Sequence, residues 1–175
     1  QAQEPRNPFD FPILLSANFG ELRSNHFHSG LDFKTQGVEG KPVHTVQEGY
    51  VSRISVSPWG YGNALYINHP DGTTTVYGHL KQFSKKIAGY VKLKQYEQES
   101  FKVNLTLNPN EISVKKDEII ALSGNTGSSG GPHLHFEIRD TESEEVLDPM
   151  DFYIDQITDT RAPRIHAIMI VPQEG

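Results

Sequence analysis

Over much of the chain, apolar and polar residues alternate with a period of two, the spacing of strands that turn one face to a core. The clearest stretch is Pro132-His133-Leu134-His135-Phe136-Glu137-Ile138-Arg139. Leu134, Phe136 and Ile138 fall on one side and His133, His135, Glu137 and Arg139 on the other. The polar side therefore carries two imidazoles separated by two residues of strand rise, roughly 6–7 Å. Before it runs Gly124-Asn125-Thr126-Gly127-Ser128-Ser129-Gly130-Gly131, whose composition predicts a loop.

The same pattern predicts short strands at Ile13–Leu15, Val43–Val46 and Tyr50–Val56, the last with Tyr50, Ser52, Ile54 and Val56 on one face. Ala64–His69 and Thr73–Leu80 flank Pro70-Asp71-Gly72, a strong hairpin signal, and Thr75, Tyr77 and His79 share a face of the second strand. A loop from Asn18 enters a strand near Leu31, and Ile112–Leu122 returns to strand. Asp140–Glu145 reads as an acidic turn, Leu147–Ile154 closes the domain, and Ile165–Pro172 reads as a further strand. Lys81–Gly89 fits a short helix or a turn, and Tyr90–Leu107 reads as an extra excursion, with a hairpin as one form of it. No long segment has convincing helical periodicity. The expected class is all-β, with stacked or barrel-like, mostly antiparallel sheets. Residues 1–17 form an extended lead-in punctuated by Pro5, Pro8 and Pro12. Residues 18–155 form the domain, with the excursion at about 90–111, and 156–175 a linker and the start of a further C-terminal domain.

Composition narrows the function. A net charge of −6 argues against a nucleic-acid binder and against attachment to an anionic wall by bulk charge. No apolar run approaches the ~20 residues of a membrane span. With no cysteine, disulfides and thiolate sites are excluded, so any metal must be held by His, Asp and Glu. Gln1-Ala2-Gln3-Glu4-Pro5 lacks a charged n-region and an apolar h-region, as a mature N-terminus left by signal removal would, or a simple chain boundary.

Three places offer candidate chemistry: His28 and Asp32, then His79, then His133 and His135. Catalytic zinc takes three N/O ligands and leaves a fourth position for water. His26 rivals His28, because it precedes Asp32 in the same loop. Each residue alone is weak evidence. A single histidine is usually a surface or hydrogen-bonded side chain, and His-x-His also occurs in cupins. A cupin needs a glutamate three or four residues beyond the pair, whereas Glu137 follows His135 by two; it reads either as a partner of a metal ligand or, more safely, as a charge on the wet side of its strand. The glycine loop lacks the Lys-Ser/Thr ending of a phosphate loop. His69 reads as structural, and His44 and His166 have no evident partner.

Taken in order, these pieces resemble the lysostaphin-type (LytM-type) zinc metallopeptidases, which cut peptidoglycan cross-links. The matching residues are Phe19-Gly20 with Arg23, His28-x-x-x-Asp32-Phe33, and Gly62-Asn63 ahead of His69-x-Asp71-Gly72. Tyr77-Gly78-His79-Leu80, Gly124-Asn125-Thr126-Gly127 and Gly131-Pro132-His133-Leu134-His135-Phe136-Glu137 complete the set. It covers about residues 18–152. The resemblance implies a groove floored by a sheet and one zinc ion held by His28, Asp32 and His135, with water in the fourth position. It implies His79 and His133 as catalytic histidines, peptidoglycan peptides as substrate and an exported protein of the periplasm or cell envelope. Asn63, Tyr77 and Arg23 are expected to line the groove, and Asn18 or the lead-in to lie near it. Departures are Asp117 and Ala121, where the family often has glycines, implying a changed turn, and Gly130 in place of a common threonine. Two rivals remain: a catalytically silent family member that binds wall or regulates an amidase, and a zinc enzyme acting on a non-wall peptide. Neither the scissile bond nor the oligomeric state is set by these residues.

Overall fold

The computed structural model describes residues 5–23 and 25–157. The chain runs through β1 (Leu15–Ala17), β2 (Leu31–Lys34), β3 (Pro42–His44), β4 (Gly49–Val56), β5 (Ala64–Asn68), β6 (Thr73–Gly78) and β7 (Gln82–Phe83). It continues through α1 (Lys85–Glu97), β8 (Val103–Thr106), β9 (Ser113–Val114), β10 (Ile119–Leu122), β11 (His133–Asp140), β12 (Val146–Leu147) and α2 (Met150–Tyr153). Among the described residues the strands form two open antiparallel sheets, not a closed barrel. The larger has the order β1-β2-β11-β6-β5-β4-β8, with β12 joined to β11 and β9 to β4; the smaller is β3-β10-β7.

One face of the large sheet packs against the small sheet and α1. Leu31 and Phe33 of β2, Leu134, Phe136 and Ile138 of β11, and Tyr77 of β6 enter this core with Val43, Ile120 and Ile87. Burying each large apolar side chain contributes about 1.5–3 kcal/mol, so β2 and β11 cannot slip by one residue without turning their apolar set to water. That lock also sets the opposite face, where Asp32 pairs in register with His135. The lead-in takes part as well. Phe9 and Ile13 are buried, β1 pairs with β2, and the Tyr153 hydroxyl donates to the Arg6 carbonyl at 2.9 Å.

Three expectations change. In β4 the register shifts between Val51 and Arg53, so Val51 and Ile54 reach the core instead of a strict Tyr50-Ser52-Ile54-Val56 face. A bulge moves the inward set by one position, which a period-two reading cannot anticipate. The excursion is not a hairpin. The 13-residue helix α1 crosses it, and β8 then adds an edge strand to β4. Only Ile87 and Val91 of α1 are buried, a stripe too narrow to stand out among its lysines and Gly89. Finally, β6 ends at Gly78, and His79 has φ 57°. The turn carries its ring away from the core face of Thr75 and Tyr77. The expected strand at Ile165–Pro172, and His166, lie outside the described residues.

Two loops lock against each other beside β6. The Gly62 and Gly127 backbones cross so closely that a Cβ on Gly127 would lie 2.3 Å from Gly62 N and 2.4 Å from Gly60 O. Gly127 also has φ 73°. Gly127→Ala is expected to destabilise the fold by about 3 kcal/mol, combining left-handed strain with a backbone clash. The urea midpoint of the variant measures this. Asp117 takes the left-handed region itself, at φ 72°, which Asp tolerates better than most residues.

Candidate active site

β2 and β11 carry the core of the site. Asp32 projects from β2 and His135 from the paired position on β11, and His28 comes from the loop entering β2. The three ligand atoms form a nearly equilateral triangle. His28 Nε2 lies 3.1 Å from Asp32 Oδ1 and 3.0 Å from His135 Nδ1, and His135 Nδ1 lies 3.0 Å from Asp32 Oδ1. All three residues are buried. A tetrahedral ion about 2.0–2.1 Å from three N/O atoms needs them roughly 3.3 Å apart, so the triangle fits zinc.

The outer bonds fit as well. A metal-ligating histidine donates its other ring N–H to a carbonyl or carboxylate, which fixes the tautomer. Here His28 Nδ1 donates to the Asn18 carbonyl at 2.8 Å, and His135 Nε2 donates to Glu137 Oε1 at 2.8 Å. Asn18 thus meets the site through its backbone. His26 is exposed, beside Asn25 Oδ1, and stays on the groove rim.

His79 and His133 stand next to the triangle with ring centroids 4.7 Å apart. His79 Nδ1 donates to the Thr126 carbonyl at 2.8 Å, and His133 Nδ1 donates to the Gly131 carbonyl at 2.8 Å. The glycine loop therefore orients both rings through Nδ1 and leaves both Nε2 atoms uncommitted to it. His133 Nε2 is 3.6 Å from Asp32 Oδ1. Burial lowers the His79 pKa to about 4, so its imidazole is neutral at neutral pH.

Glu137 overturns the expectation of a wet-side charge. It is fully buried and accepts from His135, from Ser29 Oγ and the Tyr61 hydroxyl at 2.5 Å each, and from Arg139 at 2.7 Å. Burial alone would raise its pKa, but its bond and charge interaction with His135, helped by Ser29 and Tyr61, bring it down to about 2. Asp32 likewise lies well below the usual carboxylate range. Burial opposes this, and the hydrogen bonds from His135 and His28 outweigh it. His135 moves upward, because Asp32 and Glu137 overcome the burial that would lower it. Its metal-free form therefore holds a proton more tightly than an ordinary imidazole does, in competition with a metal. Zinc uptake at neutral pH is expected to release protons, and affinity to fall as pH drops through the raised His135 pKa. Calorimetry in buffers of different ionisation enthalpy measures the release.

The sequence offered Glu137 as a partner of a ligand only as the less safe reading, on its position two residues beyond His135, and gave no sign of Ser29, Tyr61 and Arg139 around it. Tyr61 stacks on the His135 ring at 4.8 Å, and burial and Glu137 raise its pKa to about 12. Glu137→Gln leaves the half-buried Arg139 without its counter-charge. It is expected to cost about 3 kcal/mol and to weaken zinc binding by roughly 10–100-fold, read by denaturation and by competition with a chelator.

Other expected groove residues divide. Arg23 lies at the site, its guanidinium 3.4 Å from Asp32 Oδ2. Tyr77 is fully buried in the core, and Asn63 donates to the Leu80 carbonyl and ties the loops together. His69 bridges the Glu48 carbonyl and Thr75 Oγ1, both at 2.8 Å, as a structural histidine does. His44 does have partners: Asp10 at 3.1 Å and Asp117 at 3.0 Å. A groove of about 470 Å³ over the triangle meets a larger one of about 1010 Å³ along Asp32 and His133. The lead-in residues Phe11, Pro12 and Leu14 wall the larger part, and Gly130 edges both.

A buried His-Asp-His triangle flanked by two further imidazoles, on an open antiparallel sheet, offers the donors of a metal centre with proton-handling groups beside it. The profile of Peptidase family M23 matches residues 26–96 and 101–149, and the chain belongs to that family. It is 31% identical over 118 residues to the DD-carboxypeptidase/endopeptidase Mpg of Neisseria meningitidis, covering 67% of this chain and 21% of Mpg. It is 31% identical over 139 residues to the peptidoglycan DD-endopeptidase ShyA of Vibrio cholerae, covering 76% of this chain and 26% of ShyA. The chain thus spans about a fifth to a quarter of these relatives. Among solved structures, the catalytic domain of the antimicrobial peptidase lysostaphin from Staphylococcus simulans superposes with TM-score 0.59 at 26% identity, covering 80% of this chain and 91% of that domain.

Proposed function

We propose that this chain is a zinc-dependent endopeptidase that hydrolyses amide bonds in peptidoglycan cross-links or stem peptides, acting outside the cytoplasm where that polymer lies. The observation that carries this reading is the triangle of His28, Asp32 and His135 with His79 and His133 beside it. His28, Asp32 and His135 would hold the ion, which when bound supplies Lewis acidity toward the scissile carbonyl and lowers the pKa of water. His79 Nε2, neutral and uncommitted, takes the proton of the attacking water and later returns it to the leaving amine. His133, oriented by the Gly131 carbonyl, stands at the same opening, and its imidazolium form donates from Nε2 to the charge that develops on the carbonyl oxygen. Arg23 faces the same groove from the rim and orients an acidic group of the substrate.

The names of the relatives Mpg and ShyA favour a D,D-type bond over a glycyl one. Among the described residues no helix is long and apolar enough to cross a membrane. The test is incubation of the zinc-loaded protein with purified sacculi, then mass spectrometry of the released muropeptides. New amino and carboxyl ends at a cross-link support the reading. Zinc-loaded protein that cleaves no sacculus preparation overturns it in favour of a wall-binding or regulatory role.

A further inference from the structure

A second cleft lies on the same face of the large sheet as the triangle. Strand registers place Glu137, Val76, Tyr66, Arg53 and Thr106 in one row across five strands, and Arg139, Thr74, Asn68 and Tyr50 in the next. Arg139 follows His135 by four residues of β11, about 13 Å along the strand. The surface between is continuous, since Tyr61 stacks on His135 and packs against buried Ala64, Tyr66 and Val76.

The cleft has a volume of about 480 Å³, within the range of small-ligand sites. Tyr66 forms its base, with the Arg53 and Arg139 guanidinium carbons 4.9 and 5.8 Å from the ring centroid. Both guanidiniums are held in place. Arg53 Nε donates to Asn104 Oδ1 at 2.8 Å, and Arg139 is clamped by buried Glu137. Asp140 and Glu144 also line the cleft, and Glu137 beneath it already offsets Arg139, so no excess positive charge is left to hold an anion such as an acidic peptide. What remains is a dense mixture of donors and acceptors on a largely rigid frame, which suits vicinal hydroxyls.

We propose that this cleft is an accessory saccharide site taking neutral sugar units of the glycan strand that carries the peptide substrate. The proposal rests on the reading of peptidoglycan as substrate. It gives the edge strand of the excursion a role, because Asn104 and Thr106 of β8 form one wall. A strand seated there would present an attached peptide to the triangle along the sheet face.

The probe is a soluble β-1,4-linked tetramer of N-acetylglucosamine, titrated into the protein while backbone amide resonances are followed. Saturable shifts are expected at Arg53, Tyr66 and Asn104. Arg53→Ala and Asn104→Ala should each weaken binding by about fivefold, the loss of one hydrogen-bonding partner, with unchanged circular dichroism. Shifts confined to the metal groove, or equal binding by both variants, overturn the proposal. So does a sugar-free acidic stem peptide that occupies the cleft when the tetramer does not. In a second arm, both variants should raise KM on sacculi and leave turnover of sugar-free cross-linked peptide dimers unchanged. Failure to cleave either substrate counts against the peptidase reading alone, and the tetramer titration still decides the cleft.

Discussion

His28→Ala is expected to leave the protein without zinc after dialysis and without measurable hydrolysis of sacculi. The triangle has three short edges that meet at His28 Nε2, His135 Nδ1 and Asp32 Oδ1. Removing one corner leaves two ligands, too few to hold a catalytic ion against water. Zinc affinity should fall by more than about 100-fold, beyond the roughly 10–100-fold caused by losing a hydrogen bond to a ligand. Metal analysis of the dialysed protein gives the first readout, and fragment release gives the second. A variant that retains one zinc and full activity would remove His28 from the site and return His26 to consideration.

His133→Ala should separate chemistry from metal binding. Its ring is held by Gly131 and reaches only to 3.6 Å from Asp32 Oδ1, outside the triangle, so zinc content should stay at one per chain. Turnover should drop by about 10²–10⁴-fold, the usual loss on removing a proton-handling or charge-stabilising group, with KM changed little. A lower kcat at constant KM is the signature of an interaction made mainly in the transition state. His79→Ala should behave alike. Its lowered pKa means that the acid limb of the wild-type rate profile does not arise from His79 until pH approaches 4. Full hydrolysis by His133→Ala, or by metal-stripped wild type, would falsify the mechanism.

Much of the site was legible because β2 and β11 are regular where it is built. Leu31, Phe33, Leu134 and Phe136 alternate with Asp32, His133 and His135, so one pattern announces both the core and the polar face. What was not legible depends on departures from that regularity. The bulge in β4 changed which residues point inward, and the positive φ of His79 turned its ring out of the face that alternation assigned to it. Glu137 looked exposed because alternation tells a core face from the other face, and says nothing of what covers the other face. Tyr61, Ser29 and Arg139, from three places in the chain, close over it.

The amino-acid pattern alone determined the all-β class and the hairpin at Asp71-Gly72, since periodicity and turn chemistry are local properties. It offered His28, Asp32, His79, His133 and His135 as candidates, and His28 was preferred to His26 on the family resemblance. Only the tertiary structure decided that three of them meet within 3.1 Å while the other two stand aside. It also decided that Glu137 anchors His135 and that a polar cleft continues along the same sheet face. These are distances between segments up to 107 residues apart, and they depend on strand register, loop crossings and burial. No stretch of sequence contains them by itself.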